Sequence, residues 1–381
     1  MLDRPTVFGR SEAAWRFGIE FEYLLVTAQT GAVRDFTDLD FATLTAALAD
    51  PPGRTDPSLE TGDLGIKSGY WYLEGDERFD PTGHLTDLLV KGVEIRTPPR
   101  PTIAAAIDSL TDVETQLLSR LARAGLGAGI VGHNPRTDRY RLDPPLNDWE
   151  IRMREEHPEY ALAEVSNVTY GPDLNLSYTP ADDDAARRIA RRLTYYSPYL
   201  VPFSFSSPFR SGQVWSGPSI RTHIRTGPRA AVRVYLDGAD GTPPLEVPAR
   251  SASERGRIEF KAFDAIPALD LMAALFALVA GIALADDLPG RAAVPDRELH
   301  RVAGAEGWSD PRIVAGAAEM LDAARAALAS DDELRCAVTD LEVLVRLLAE
   351  RITPADLLVD HYRRAGTMYI PAPIPKRLFD I

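Results

Sequence analysis

The chain has 381 residues, 45% hydrophobic and 26% charged, which excludes disorder, collagen and coiled coil as the main architecture. Acidic residues outnumber basic ones, 56 to 42, and the net charge of −14 argues against nucleic acid as a partner. A single cysteine, Cys336, excludes a disulfide framework and a cysteine zinc site within the chain, and it reads as a small apolar helix residue. The N-terminal MLDRPTVFGRSEA has no apolar stretch of the leader kind, so a reducing cytoplasm is the expected location. The longest apolar run, Leu271 to Ala285, is shorter than the ~18 residues a membrane span needs and reads as a buried core helix.

In chain order, a strand is predicted at 16–26 and a helix at 38–49, followed by a Gly/Asp-rich irregular stretch from 50 to 80. A helix near 84–90, a strand at 91–97 and a long helix over about 101–124 come next; Pro101 suits a first helical turn and Gly125 a stop. A short strand at 127–132 leads into a polar, proline-containing loop with a short helix at 136–160. Further strands fall near 168–178, 220–226, 231–237 and 256–264, with a helix at 181–196. From Pro267 to about 365 the apolar period is 3.6. Strands therefore dominate the first two thirds and helices the last. The expected class is α+β: a largely antiparallel sheet with helices on one face and a helical C-terminal part. One domain is expected over 1–381, sheet-rich at 13–265 and helical at 266–365.

Side chains alternate between the faces of a strand. Phe17, Ile19, Phe21 and Tyr23 share one face of the first strand, Glu20 and Glu22 the other. In VKGVEIRTPP, Val93 and Ile95 oppose Glu94 and Arg96. In YGPDLNLSY, Leu174 and Leu176 oppose Asp173, Asn175 and Ser177. In GRIEFKAFD, Ile258 and Phe260 oppose Arg257, Glu259 and Lys261. Four strands thus repeat an apolar face and a carboxylate face. A solvated sheet face is one reading of this pattern. The other is a metal site, because Glu and Asp are poor strand formers and side-by-side carboxylates repel unless cations sit between them. Oxygen ligands without thiols point to Mg²⁺ or Mn²⁺, and magnesium on carboxylates to phosphate-bearing substrates. Lysine occurs only at 67, 91, 261 and 376, so 38 of the 42 basic residues are arginine.

The ordered set GIEFE, TDLLVKGVEIRTPP, GPDLNLS and RIEFKAFD resembles the carboxylate–amine ligases of the glutamate–cysteine ligase type, which have a glutamine-synthetase-like catalytic sheet. GHNP at 132–135 and SSPFRSG at 206–212 add to the resemblance, which covers most of 16–285. It implies a single catalytic domain and an ATP-dependent ligase that joins an amine to a carboxylate, glutamate or a similar acid, through an acyl phosphate. It makes Glu20, Glu22, Asp87, Glu94 and Glu259 metal ligands for Mg²⁺ (or Mn²⁺), and places Asp173 among them where many relatives have histidine. Lys261 falls where relatives carry an arginine against the ATP phosphates, and Asn175 and Arg257 share its face as nucleotide-binding residues. Arg221, His223 and Arg225 alternate in SIRTHIRTG; on a strand they would share a face, with Arg221 and Arg225 as a cationic clamp for a carboxylate or phosphate, or else as charged guards of an edge strand. Arg96 is an ion-pair candidate for Glu94. Expected partners are a small carboxylate and an amine, with no nucleic acid and no membrane; a homodimer is left open. Two other readings stand beside this one: a phosphotransferase on the same fold, and a nucleotide- or substrate-binding relative without turnover.

Overall fold

The computed structural model describes residues 14–56, 67–137, 139–156, 163–179, 181–226, 229–239 and 245–381, so the N-terminal segment read above for a leader lies outside it. The strands are β1 (Trp15–Thr27), β2 (Val33–Arg34), β3 (Trp71–Phe79), β4 (Leu85–Arg96), β5 (Leu126–Ile130), β6 (Pro172–Tyr178), β7 (Phe209–Arg210), β8 (Gln213–Val214), β9 (Val232–Leu236), β10 (Glu246–Pro248), β11 (Ile258–Phe260) and β12 (Ile370–Pro371). The α-helices are α1 (Phe41–Ala47), α2 (Ile103–Arg123), α3 (Asp148–Glu156), α4 (Ala163–Ser166), α5 (Asp183–Leu200), α6 (Ile220–Arg225), α7 (Leu269–Leu284), α8 (Arg297–Glu306), α9 (Pro311–Ser330), α10 (Glu342–Glu350) and α11 (Pro354–Ala365).

The main sheet runs β10-β9-β11-β6-β1-β4-β3, with β2 and β5 also on β1 and β12 on β5. The β10–β9 pair is parallel and the remaining ladders of this sheet are antiparallel, so the sheet is mixed. β1 is its axis. Residues 15–21 pair with β6, 20–24 with β4, and 24–27 with β5.

The predicted alternation holds. Phe17, Ile19, Phe21 and Tyr23 are fully buried on one face. Helices α2, α5 and α7 cover that side; α2 packs on β1 and β4, α5 on β9 and β11, and the Phe276 ring of α7 meets Phe17 edge-on at 5.7 Å. α7 is buried nearly all round, as its uniform apolar sequence demands. Among the described residues no helix is long and apolar enough to cross a membrane. Gly125, in the left-handed region at φ +72°, follows the last turn of α2 as expected, but Thr102 caps the start of that helix, so Pro101 precedes the cap.

Three predicted elements are corrected. Residues 71–79 form a strand where an irregular stretch was expected, and 85–96 is one continuous strand, so the helix near 84–90 does not form. A tight turn joins the two: Asp80 Oδ1 accepts from the N–H of Thr82 (2.8 Å) and of His84 (3.1 Å), and Gly83 adopts φ +87°. The charges that made β3 look like a loop are buried in pairs from outside the hairpin. Arg78 Nε donates to Glu150 at 2.8 Å, and Asp76 accepts from Arg154 at 2.8 Å and from the Tyr140 hydroxyl at 2.6 Å. The third correction is 220–226, expected as a strand. Its first six residues form α6, because the Ser219 side chain caps the Thr222 N–H at 3.0 Å and starts a helical turn. Cys336 lies in a 3₁₀ turn and is exposed, where an apolar helix position was expected.

Candidate functional site

The register of the sheet places the carboxylates. On β1, Glu20 lies opposite Asp173 of β6, and Glu22 opposite Glu94 of β4. On β11, Glu259 lies opposite Asn175 of β6 on one side and Arg233 of β9 on the other. Two triads result. Glu20, Asp173 and Glu259 each offer an oxygen within 4.8 Å of the others, and so do Glu22, Glu74 and Glu94. Glu20 and Glu22 are two residues apart on one strand, about 7 Å, so the triads are neighbours on one face.

These groups fit a hard divalent cation. The donors are all oxygen, and three carboxylate oxygens this close can converge on an ion with ligand distances of about 2.1 Å. Their electrostatics point the same way. The Glu20 carboxyl is pushed up, by burial first and then by the like charges of Glu259 and Asp173. The Glu94 carboxyl is pushed well above the carboxylate range, by burial first and then by Glu74. A cation between the carboxylates removes that repulsion.

Lysine and arginine side chains partly balance the first triad. Lys261 Nζ bonds Asp173 and lies 3.1 Å from Glu259. Burial would lower this ammonium, but Asp173 and Glu259 outweigh it and hold it above the usual lysine range. Burial likewise opposes the charge of Glu259, yet Lys261, Arg257 and Arg233 hold its pKa down at about 2. Arg257 stacks 3.9 Å over the Tyr235 ring and donates to Asn175 Oδ1 at 2.8 Å. Tyr235 is itself pushed up to about 12, by burial and then by Glu259, whose Oε2 accepts its hydroxyl at 3.1 Å.

A cationic wall faces the carboxylates. Arg221 and Arg225 lie one turn apart on α6, and Arg229 and Arg233 continue the spacing of four into β9. Arg221 is pinned: it donates to the carbonyls of Ala262 (2.9 Å) and Lys261 (3.2 Å), and lies 3.8 Å from buried Asp264. Asp264 in turn accepts from the Ser207 and Ser219 hydroxyls (2.6 and 2.9 Å) and from the Ser206 N–H (3.0 Å), which gives SSPFRSG a supporting role. Arg225 is buried, and its Nη1 has no partner among the described residues. Its guanidinium is pushed well below the arginine range, by burial first and then by Arg221 and Arg229. A buried cation with an unmet donor is costly, so this wall suits an anion. The cleft between wall and carboxylates holds about 1340 Å³. That exceeds the roughly 300–1,000 Å³ of a single-ligand pocket, so there is room for two small substrates.

The structure brings together Glu20, Glu22, Glu94, Asp173, Asn175, Arg221, Arg225, Arg257, Glu259 and Lys261, all lining this cleft. Asp87 does not join them. It is exposed on β4 opposite Arg78, and seven residues of strand put it about 20 Å from Glu94. Glu74 of β3 completes the second triad instead, and only recognition of β3 as a strand could have exposed it, since Tyr72 and Glu74 then share a face with Glu94 across the ladder. Arg229 and Arg233 were also missed; their signal is the four-residue spacing from Arg221. Arg221 and Arg225 share a face on a helix as they would on a strand, but His223 turns away and packs on Trp215 at 5.3 Å. Arg96 donates to the carbonyls of Gly69 and Lys67 and lies over the Tyr72 ring, in place of an ion pair with Glu94.

Residues 16–231 match the family model described as Glutamate-cysteine ligase family 2 (GCS2). Glutamate–cysteine ligase of Natronomonas pharaonis is 25% identical over 170 residues, covering 40% of this chain and 45% of that protein. Putative glutamate–cysteine ligase 2 of Paracoccus denitrificans is 23% identical over 221 residues, covering 57% and 48%. The chain thus spans about half the length of these curated relatives. Among solved structures, glutamate–cysteine ligase from Francisella tularensis in complex with AMP superposes with a TM-score of 0.59 at 14% identity, covering 93% of this chain and 86% of that one. A bifunctional glutathione synthetase from Pasteurella multocida gives 0.54 at 14%, covering 93% and 50%. These likenesses show the fold, an α+β glutamine-synthetase-like sheet backed by helices.

Proposed function

Because the chain belongs to glutamate–cysteine ligase family 2, we propose that it is an ATP-dependent ligase forming an amide between a glutamate-like carboxylate and an amine. One observation carries the reading: two carboxylate triads lie side by side, facing a wall of arginines in which the Nη1 of buried Arg225 has no hydrogen-bond partner among the described residues. Glu20, Asp173 and Glu259 would hold one Mg²⁺ and Glu74 and Glu94, beside Glu22, another. Bound Mg²⁺ screens and aligns the two anions that must meet, the substrate carboxylate and the terminal phosphate of ATP.

The chain's own groups supply the rest. Lys261 offers a point charge to the phosphates, with Arg257 and Asn175 beside it on the same face. Arg221 and Arg225 clamp the acid substrate, the first held rigid by Asp264 and two carbonyls, the second offering an Nη1 that has no hydrogen-bond partner among the described residues. A carboxylate oxygen of the acid attacks the terminal phosphorus, and the bond to ADP breaks, giving an acyl phosphate. The amine nitrogen then attacks the carbonyl carbon, phosphate leaves, and the nitrogen loses a proton. The compartment we assign is the cytoplasm, where the exposed thiol of Cys336 stays reduced.

Phosphate release measured with ATP, Mg²⁺, glutamate and a panel of amines tests the reading. The expected result is release that needs both acid and amine, with ADP as co-product. ATP consumption with one substrate and no free phosphate would instead mark a phosphotransferase. Nucleotide binding without turnover across the panel would mark a non-catalytic relative.

A further inference from the structure

Three of the chain's four lysines, Lys67, Lys91 and Lys261, line the acidic cleft. They are held in different ways. Lys261 bonds Asp173 and Glu259, both members of the first triad, so a divalent ion taking those carboxylates also releases the lysine. Lys91 of β4 is anchored otherwise. Its Nζ donates to Glu22 Oε1 at 2.6 Å and to the main-chain carbonyls of Ser166 and Thr169, each at 3.1 Å. All three ammonium protons are therefore used. The Lys91 side chain is only 4% exposed. The other oxygen of Glu22 accepts the Gly171 N–H at 2.9 Å, which fixes the carboxylate against both partners. An ion approaching the second triad cannot free Lys91 by taking Glu22 alone, because two of the three anchors are carbonyls outside the triad.

Resting on the metal-dependent reading above, we infer that Lys91 is a resident cation of the second triad. It neutralises Glu22 in every state of the cleft and leaves Glu94, and Glu74 once its 3.1 Å ion pair with Lys67 opens, as the carboxylates available to a divalent ion. The two triads are consequently unequal. The first keeps Arg257 3.6 Å from Glu20 but gives up Lys261 to the ion; the second keeps Lys91 at hydrogen-bond distance on Glu22.

A Mn²⁺ titration of the metal-stripped full chain without nucleotide, read by the electron paramagnetic resonance of free Mn²⁺, tests this. The wild type should show one tighter and one weaker ion. Lys91→Met should tighten the weaker one by about tenfold or more, since a unit positive charge a few ångströms away is gone, and leave the tighter one unchanged. Lys91→Gln keeps a donor for the carbonyls and should do the same if Lys91→Met does not fold. Lys261→Met should tighten the first ion instead. Lys91 variants that fold and bind both ions with wild-type affinity overturn the inference while leaving the metal reading intact. So does failure of both variants to fold, which would make Lys91 a structural staple. Absence of Mn²⁺ binding in the wild type and in every variant removes the metal reading, and the inference with it.

Discussion

Glu259 and Glu20 face the same ion position from neighbouring strands, yet their surroundings pull them in opposite directions. Glu259 is held at about 2 by cations that outweigh its burial, so its charge stabilises the fold at every pH above its unfolded value near 4.5, and that stability is lost as pH falls toward 2. Glu20 is pushed up, so its charge costs stability once the pH rises through its folded pKa. In the metal-free protein at pH 7, Glu259→Gln should therefore lose about 3 kcal/mol of stability and melt lower, while Glu20→Gln melts higher. Both should abolish phosphate release. Equal melting temperatures for the two variants would contradict the assignment of the cations to Glu259. Lys261→Ala should cost about 2–4 kcal/mol of transition-state stabilisation, read as kcat/KM for phosphate release, and Lys261→Arg should restore part of it. Unchanged release and unchanged ATP affinity in Lys261→Ala would make that position idle.

The short helix α6 depends on one buried carboxylate more than on its own six residues. Asp264 takes the hydroxyls of Ser207 and Ser219, and the Ser219 hydroxyl oxygen also caps the first turn of α6. Burial pushes the Asp264 carboxyl up, against Arg221 and these donors, which hold it down. Asp264→Ala leaves several buried donors and the Arg221 guanidinium without their acceptor. The expected cost is about 3–5 kcal/mol in urea unfolding, with a raised KM for the acid substrate in whatever fraction folds. Asp264→Asn keeps one acceptor oxygen and should cost less. A variant Asp264→Ala with wild-type stability and KM would sever α6 from this support. The same dependence explains why 220–226 misled the sequence reading: Ile, Thr and Arg in alternation suit a strand, and the cap that selects a helix gains its strength from Asp264, 45 residues later.

At the scale of the molecule, the acid limb of stability should carry a histidine signature. His300 of α8 is fully buried; burial pushes its pKa down to about 4, with Nδ1 2.8 Å from the Asp296 carbonyl oxygen. A depressed histidine must stay neutral in the fold, so its contribution is whole above the unfolded value near 6.5 and falls away as pH drops toward 4. The full loss is about 3 kcal/mol. Urea midpoints at pH 7 and pH 4.5 should therefore differ less in His300→Gln than in the wild type; an identical difference would show that His300 is not the group titrating. The cleft makes a second whole-molecule prediction. Bare carboxylates repel a nucleotide and metallated ones attract it, so ATP affinity measured by calorimetry in EDTA should collapse relative to excess Mg²⁺. Equal affinity in both buffers would remove the two triads from nucleotide binding.

What residue order by itself determined is local. Period-2 alternation assigns each side chain to a face whatever its neighbours are, so the carboxylate faces of β1, β4, β6 and β11 and the apolar face behind them were legible before any coordinates. The long uniform run of α7 and the period of the C-terminal helices were legible for the same reason. The tertiary structure alone decided which strands are neighbours, and hence that the acidic positions divide into two triads with Glu74 in one and Asp87 in neither. It decided that 71–79 is a strand, because the charges there are neutralised by Glu150 and Arg154 from a segment some 70 residues further on. It also decided that Lys91 sits on Glu22, since two of its three acceptors, Ser166 at the end of α4 and Thr169 just after it, lie in the segment leading into β6. Faces follow from the geometry of a single strand; ion pairs and ligand sets follow from register between strands, which the chain encodes only through the packing of the whole.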